Sequence, residues 1–222
     1  MKNGYFYGML KKSGIIILML LNVQLGFSQF VDDFSDGDFT LNPVWSGDNA
    51  LFTAMTNELN SQSPGAGTYY LSTPSTLALN AQWDFYFNMK FGTSGANYVD
   101  VYLISDVANV TTPNDGYFVR IGTTDDDVSL YKMVGGTPTK IIDGPDNSVN
   151  STSNNPFDVR VTRDLANNWT LFYDDGAASS LVTIGSVVDN SVTTSSFFGI
   201  AITQSGAAGP VNNHFFDNFS VG

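Results

Sequence analysis

A dense group of carboxylates stands near the start of the sequence. The run from Asp32 to Asp38, DDFSDGD, holds four aspartates and a glycine that can turn the backbone. Calcium is bound through several oxygen atoms of carboxylates and carbonyls, so we predict a structural Ca2+ site that includes Asp33 and Asp36. No glutamate closes the run as it would in an EF-hand loop. The alternative is that Asp36 and Asp38 only cap turns.

Aromatic and polar residues alternate with apolar ones in a pattern that suits a binding surface. Successive side chains of a β-strand point to opposite faces, and this group has the opposite parity to the apolar residues, so we expect it to face solvent. Sugars suit such surfaces because their apolar faces stack on rings while their hydroxyls need polar partners. The alternative is that the tyrosines only pack against neighbours across the strands. The predicted ligand-binding residues are Tyr86, Tyr98, Asp100, Tyr102, Arg120 and Tyr131.

The sequence does not pair carboxylates for glycoside hydrolysis. Retaining glycosidases need two carboxyl groups about 5–5.5 Å apart. Asp100 and Asp106 share a strand face, but at about 3.3 Å per residue they would stand about 20 Å apart. Glu58 is the only glutamate and is isolated in the sequence. We therefore predict no catalytic residues and no enzyme activity.

Three further features are interpreted as structural. His214 is the only histidine and no Gly-x-Ser-x-Gly motif accompanies it, so a Ser-His-Asp triad is not indicated and His214 is interpreted as a strand-end residue. Residues 125–127, all aspartate, are interpreted as a solvated hairpin loop because aspartate favours turns. The segment GGTP at 135–138 is interpreted as a hairpin turn, since no Gly-Lys-Ser/Thr follows it as in a phosphate-binding loop.

The charge balance limits the partners of the protein. The 222-residue chain has 9 basic and 21 acidic residues and a formal net charge of −12. Such a surface repels nucleic acid and anionic lipid, which leaves neutral ligands, cationic ligands and divalent cations. The chain has no cysteine, which excludes thiol catalysis and thiolate metal sites. The large excess of aspartate over glutamate favours turns over helices.

The N-terminal segment predicts export. A lysine-containing start is followed by an apolar run from Ile15 to Leu21, which is shorter than a membrane-spanning helix. Small residues then precede a cleavage site that would leave Gln29 at the new N-terminus. We therefore predict a secretory signal peptide at 1–28 and a mature domain at 29–222 that is not inserted in a membrane. The predicted location is secreted, extracellular or on the cell surface.

Strand patterns fill the remainder of the sequence. Between Trp83 and Phe91, apolar residues occupy every second position, which predicts a strand with one buried face. Clusters of Gly, Asn, Asp, Ser and Pro separate such segments, and about a dozen strands with this spacing predict an all-β, two-sheet antiparallel sandwich. The other predicted strands are 98–105, 117–121, 128–133, 157–163, 169–173, 181–187, 197–203 and 215–221, with shorter ones near 30–34, 51–55, 58–62 and 68–72.

The two ends of this region carry a family resemblance. FVDDFSDGDF at 30–39 and NPVW at 42–45 open it, and FFDNFSV at 215–221 closes it. Between them stand RVTR at 160–163 and NWTLFYD at 168–174. Together these segments resemble the concanavalin A-like, laminin G-like jelly-roll domains of secreted Bacteroidetes surface proteins. The resemblance covers nearly all of the chain after the predicted signal peptide.

The resemblance implies a fold, a metal ligand and a function. It implies a jelly-roll sandwich whose first and last strands pair, and a calcium ion between the first strand region and an aspartate of the last strand, which is Asp217 here. The same fold houses glycoside hydrolases, whose paired glutamates this chain lacks. We therefore expect a secreted, non-catalytic module that binds an extracellular glycan or another surface ligand, as part of a larger surface protein. A structural or adhesion spacer is the alternative, and a divergent glycoside hydrolase is a third reading.

Overall fold

The computed structural model describes Met1, residues 28–176 and residues 180–222. Its regular structure is β-strand apart from one short 3-10 turn at Asn49–Leu51. No helix in the described part of the chain reaches the length and apolarity of a membrane span. The strands, numbered in chain order, are β1 (Phe30–Asp32), β2 (Ser46–Gly47), β3 (Phe52–Met55), β4 (Glu58–Ser61), β5 (Gly67–Pro74), β6 (Ala81–Met89), β7 (Tyr98–Ser105), β8 (Gly116–Gly122), β9 (Asp127–Val134), β10 (Thr137–Ile142), β11 (Pro156–Arg163), β12 (Asn168–Asp174), β13 (Val182–Val188), β14 (Phe197–Gln204) and β15 (His214–Val221).

These strands form two antiparallel sheets. Sheet A has eight strands in the order β13-β12-β11-β6-β15-β4-β3, with β1 paired to β15 beside this path. Sheet B has seven strands in the order β10-β9-β8-β7-β14-β5-β2. Buried apolar side chains from both sheets form one large core cluster, so the predicted two-sheet sandwich is confirmed.

Strand β6 shows how the sequence pattern builds the core. Trp83 and Phe87 are fully buried, whereas Asp84 and Tyr86 are half-buried on the other face of the strand. The Trp83 ring stacks on Trp169, two strands away in β12, at 5.5 Å between centroids. Burying one aromatic side chain of this size contributes about 2–3 kcal/mol. The period of two in the sequence therefore identifies the face that sheet A turns toward sheet B.

The first and last strands pair, as the resemblance implies. Phe30 lies opposite Val221, and Asp32 lies opposite Phe219, on the antiparallel strands β1 and β15. Asp32 is only 8% exposed, and its Oδ2 accepts a hydrogen bond from Trp45 Nε1 at 2.8 Å. Burial raises the pKa of Asp32, and hydrogen bonds to its carboxylate oppose that shift. The first carboxylate of the acidic run therefore holds Trp45 beside the paired strands β1 and β15, where its ring packs against Phe219.

Two strands have no counterpart in the sequence prediction, namely β2 and β10. Strand β2 has only two residues, too few to show a period. Strand β10 is an edge strand of sheet B with a proline at its second position and mostly exposed or half-buried side chains, so it lacks the alternation of a half-buried strand. The turn at 135–136 joins β9 to β10, which confirms a hairpin turn in the segment 135–138, although Thr137 and Pro138 already belong to β10.

The predicted signal peptide lies almost entirely outside the described residues. The prediction covers 1–28, and residues 2–27 are not among those that the structure describes. The cleavage before Gln29, the division of the chain at that point and the export that it implies therefore stay predictions.

Candidate functional site

Four predicted binding residues come together on the outer face of sheet B, the face that points away from the core. Tyr98, Asp100 and Tyr102 lie on β7, and the two valines between them are fully buried in the core. Arg120 lies directly opposite Asp100 on the neighbouring strand β8. Because strand side chains alternate between faces, the burial of the valines turns these four side chains outward.

Asp100 and Arg120 form a bidentate ion pair. Arg120 donates through Nε to Asp100 Oδ1 and through Nη2 to Oδ2, both at 2.7 Å. Asp100 is 6% exposed; burial raises its pKa, and the bonds from Arg120 oppose that shift. Among the described residues no hydrogen bond uses Arg120 Nη1, so this nitrogen keeps donors for a ligand or for water.

Aromatic rings surround the guanidinium of Arg120. Its carbon lies 4.8 Å from the ring centroid of Tyr98 and 5.1 Å from those of Phe118 and Tyr131, distances at which a cation is attracted to a ring face. Phe118 also packs against Tyr102, with centroids 5.0 Å apart. Phe118 and Tyr102 belong to a small apolar cluster separate from the main core, and Tyr131 packs against that cluster. Phe118 is not among the predicted binding residues, although its parity, opposite to that of the core residues of β8, marks it as facing outward.

A cavity of about 350 Å³ opens on this face and is called the sheet B cavity. Its floor includes Tyr98, Asp100, Tyr102 and Arg120. Its remaining walls come from the loop after β7, the β9–β10 hairpin, and strands β14 and β5. The mixture of rings, hydroxyls and one ion pair is typical of a polar ligand site. The other lining residues are Thr68, Val110, Thr111, Thr112, Pro113, Met133, Gly136, Pro138, Ala201 and Thr203.

The loop between β7 and β8 is fixed as a wall of this cavity. Val110 is 1% exposed and packs in the outer-face cluster with the tyrosines. Asn114 Nδ2 donates to the carbonyl oxygens of Val110 and Thr112, at 3.2 and 2.9 Å. A Cβ atom on Gly136 would lie 2.7 Å from Pro113, so only glycine lets the β9–β10 hairpin close against the loop. The wall is therefore preformed.

The structure does not bring Tyr86 to the other predicted binding residues. Tyr86 lies on β6, which belongs to sheet A, because the chain crosses from one sheet to the other between β6 and β7. On the outer face of sheet A it is opposite Asp158 and Asp217 on the adjacent strands. Burial raises the pKa of Tyr86, and the charges of Glu58, Asp158 and Asp217 raise it further. The prediction of one binding surface that includes both Tyr86 and Arg120 is therefore corrected, because the two residues lie on different sheets. A binding role for either residue stays a prediction.

Tyr131 stands beside the cavity and supports its floor. It lies opposite Phe118, and the two rings are stacked with centroids 5.3 Å apart and 14° between planes. The alternative that tyrosines pack across strands therefore describes Tyr131 well.

The predicted calcium ligands Asp33, Asp36 and Asp217 do not converge. Asp33 accepts hydrogen bonds from the backbone and hydroxyl of Ser35, at 3.1 and 2.7 Å, and Asp36 accepts one from Asp38 N at 3.0 Å. Both are exposed and act here as turn-capping residues. Among the described residues, the group of acidic side chains with ligand atoms within 4.8 Å of one another is a different one, at 125, 127 and 146. A calcium site at the predicted three residues stays a prediction.

Asp217 nevertheless has an unusual environment. Burial, and then the charges of Glu58, Asp33 and Asp32, raise the pKa of Asp217 to about 6, against a hydrogen bond from Asn218 N. Glu58 is not isolated in space. Phe216 on β15 lies opposite Leu59 on the antiparallel strand β4. The residues that follow this pair, Asp217 on β15 and Glu58 on β4, are therefore neighbours across the two strands. The sequence does not predict this approach, because it depends on the pairing of β4 with β15.

The interpretation of residues 125–127 as a solvated loop is wrong for Asp127. Asp127 is fully buried, because it begins β9 opposite Gly122 rather than lying in the turn. Its Oδ2 accepts hydrogen bonds from Ser129 Oγ at 2.5 Å and from Lys140 Nζ at 3.0 Å. A buried carboxylate requires such partners.

His214 is a structural residue at the start of β15, as interpreted. It is fully buried, its Nδ1 lies 3.1 Å from Ser61 Oγ, and its ring packs edge-on against Phe91 at 4.7 Å between centroids. Burial lowers the pKa of His214 to about 3. The imidazole is therefore neutral at physiological pH and inaccessible to a substrate.

Sheet A also carries a cavity, of about 410 Å³, on its outer face. Its lining includes Asp84, Asp158, Asp174 and Arg160. Among the residues that the structure describes, its one aromatic lining residue is Phe85, which is 2% exposed. Arg160 is already paired with Asp84, at 2.6 Å from Nε to Oδ1. This larger cavity therefore lacks the accessible rings of the sheet B cavity.

Comparisons with known proteins identify the fold. No protein-family model and no curated protein matches the sequence. Among solved structures, the carbohydrate binding module CBM66 from Bacillus subtilis is 14% identical with a TM-score of 0.58, and the match covers 80% of this chain and 94% of that chain. The VIP36 exoplasmic/lumenal domain in its Ca2+/Man-bound form is 11% identical with a TM-score of 0.59, and the match covers 80% of this chain and 81% of that chain.

An enzyme is also among these structural neighbours. The GH43 protein BlXynB from Bacillus licheniformis is 10% identical with a TM-score of 0.59, and the match covers 86% of this chain but 38% of that chain. Likeness at such low identity shows the fold alone. With its two antiparallel sheets and these neighbours, the chain is an all-β jelly-roll sandwich of the concanavalin A-like kind.

Proposed function

We propose that this protein is a secreted, non-catalytic carbohydrate-binding module of an extracellular or cell-surface protein, and that it binds a glycan in the sheet B cavity. The observation that carries the proposal is the preformed cavity of about 350 Å³ with Tyr98, Asp100, Tyr102 and Arg120 in its floor. Solved neighbours of the same fold include a carbohydrate binding module and a Man-bound lumenal domain, which adds support.

The residues of the cavity suit a neutral sugar. The half-buried ring of Tyr98 offers apolar surface to a sugar ring, and threonine hydroxyls beside it offer donors and acceptors for sugar hydroxyls. Asp100 and Arg120 hold each other in a fixed geometry, so their remaining hydrogen-bonding capacity is oriented before a ligand arrives. Preorganisation of this kind reduces the entropy lost on binding.

Glycan-array binding by matched tyrosine variants tests the proposal. We expect Tyr98→Ala to weaken binding by about tenfold or more, since one stacked ring contributes about 1–2 kcal/mol. Tyr86→Ala is the matched control, because Tyr86 is a half-buried strand tyrosine on the other sheet. Loss of binding in Tyr86→Ala alone would move the site to sheet A. If the unaltered protein binds no glycan on the array, with or without Ca2+, the result would favour a structural or adhesion spacer function instead.

Glycoside hydrolysis is the second candidate function, and the approach of Glu58 to Asp217 is the observation that favours it. An acid with a pKa near 6 beside a second carboxylate is an arrangement that glycosidases use, and Asp217 has that pKa. The two residues lie on the other sheet from the sheet B cavity. Reducing sugars released from a polysaccharide panel by the unaltered protein, and not by Asp217→Asn, would establish this activity in place of simple binding.

A further inference from the structure

Three aspartates, one at the start of β9 and one from each of two loops, lie close together. One carboxylate oxygen from each of Asp125, Asp127 and Asp146 lies within 4.8 Å of the others. Calcium–oxygen bonds are about 2.3–2.6 Å long, so a single ion between the three oxygens could contact all of them. Asp125 and Asp146 are exposed, which gives the group access to solvent, and Asp127 is fully buried.

The buried member of this group has an unused oxygen. Asp127 Oδ2 is engaged by Ser129 and Lys140, but Asp127 Oδ1 is buried and has no hydrogen-bond partner. A buried, unpartnered carboxylate oxygen is strongly unfavourable, because it has lost water without gaining a donor. A bound cation would supply the missing partner, and this observation is independent of the clustering itself.

The backbone around the aspartates is held in place without the ion. The N–H of Asn147 donates to the carbonyl oxygen of Asp125 at 2.9 Å, and Gly144 N donates to Ser129 Oγ at 2.8 Å. A Cβ atom on Gly144 would lie 2.2 Å from the carbonyl oxygen of Val128, so glycine is required where the loop after β10 returns to β9. The third ligand, Asp146, therefore reaches the other two through a fixed loop.

Lys140 is the internal cation of this region. Its Nζ lies 3.1 Å from Asp125 Oδ2, 3.0 Å from Asp127 Oδ2 and 2.5 Å from Asp143 Oδ1. Three carboxylates contact the ammonium group and Asp146 stands beside two of them, so negative charge is in excess here. The ammonium touches only one oxygen of Asp127 and is not in contact with Asp146.

We propose that Asp125, Asp127 and Asp146 form a binding site for a hard divalent cation, Ca2+ in the first place, beside the ammonium of Lys140. The site is distinct from the predicted calcium ligands Asp33, Asp36 and Asp217, which lie after β1 and on β15. The inference does not rest on the proposed glycan function. Lys140 holds two of the three ligands in place and also repels the ion, so its charge sets the affinity.

Calorimetric titration of the full chain with CaCl2 after treatment with a chelator tests this site. We expect Asp146→Asn to weaken binding by about tenfold or more, since it removes a charged ligand. Lys140→Met should bind Ca2+ about tenfold more tightly or better, because a positive charge in contact with two of the three ligands is gone. Asp164→Asn is the matched control, because Asp164 is an exposed turn-capping aspartate outside both acidic groups, and it should leave this binding unchanged.

Thermal unfolding keeps the test decisive where a variant is less stable. Lys140→Met leaves Asp127 buried without its ammonium partner, so its Tm should fall without Ca2+ and recover more on adding Ca2+ than that of the unaltered protein. Equal affinity of Asp146→Asn and the unaltered protein would overturn the proposal. Weaker binding by Lys140→Met, or binding that disappears in Asp36→Asn and not in Asp146→Asn, would also overturn it.

Discussion

Replacing Arg120 with methionine tests whether one ion pair organises the outer face of sheet B. Methionine keeps apolar contact with the surrounding rings but removes both hydrogen bonds to Asp100, which is 6% exposed. Removing one partner of a buried pair costs about 3–5 kcal/mol, because the remaining charge is left uncompensated. We therefore expect the free energy of unfolding of Arg120→Met to fall by about that amount at neutral pH.

A double-mutant cycle separates the pair from other effects of the substitution. Asp100→Leu combined with Arg120→Met leaves no buried charge, and such replacements are often close to neutral, so the double variant should regain most of the lost stability. Urea unfolding followed by tryptophan fluorescence measures each variant. Lowering the pH should partly restore Arg120→Met alone, since the pKa of a lone buried carboxylate is raised above its unfolded value and the folded state then binds more protons. A loss below about 1 kcal/mol in the single variant, or no recovery in the double, would refute the reasoning.

Two further predictions follow from buried titratable groups. Asp217→Asn should raise the free energy of unfolding at pH 7 by about 1 kcal/mol, allowing for solvent screening, because the folded pKa of about 6 lies above the unfolded value of 3.8; the gain should disappear near pH 4, and equal urea midpoints at pH 7 would contradict it. The ring protons of His214, the only histidine, should show no NMR titration between pH 8 and 5, since its folded pKa is about 3. Because that pKa lies below the unfolded 6.5, its contribution to stability is complete above pH 6.5 and declines toward pH 3; a titration midpoint near 6.5 would show that His214 is exposed.

Local periodicity was sufficient to predict the two-sheet sandwich and several residues that line the sheet B cavity. The alternation on β6 identified its buried face, with Trp83 and Phe87 fully buried. Tyr98, Asp100 and Arg120 came together because β7 and β8 are consecutive strands that pair directly. The alternation of side chains along two consecutive strands can be read from the sequence, so the grouping of these three residues required no long-range information.

The placements of Tyr86, Glu58 and Asp146 depend on which strands and loops meet, and periodicity does not encode that. Tyr86 has the same outward parity as Tyr98, but the crossover between β6 and β7 places it on the other sheet. Glu58 approaches Asp217 only because β4 pairs with β15, far away in the chain. Asp146 lies near Asp127 because the loop after β10 returns to β9 at Gly144. In the sequence, Gly144 cannot be distinguished from an ordinary turn glycine.

Amide chemical-shift mapping by NMR, during titration with the glycan selected on the array, tests the central claim most directly. A sugar in the sheet B cavity should shift the amides of β7 around Tyr98 and Tyr102, those of β8 around Arg120 and those of the loop at 110–113, while sheet A amides around Tyr86 stay unchanged. Shifts confined to the outer face of sheet A, or no shifts at saturating glycan, would contradict the account.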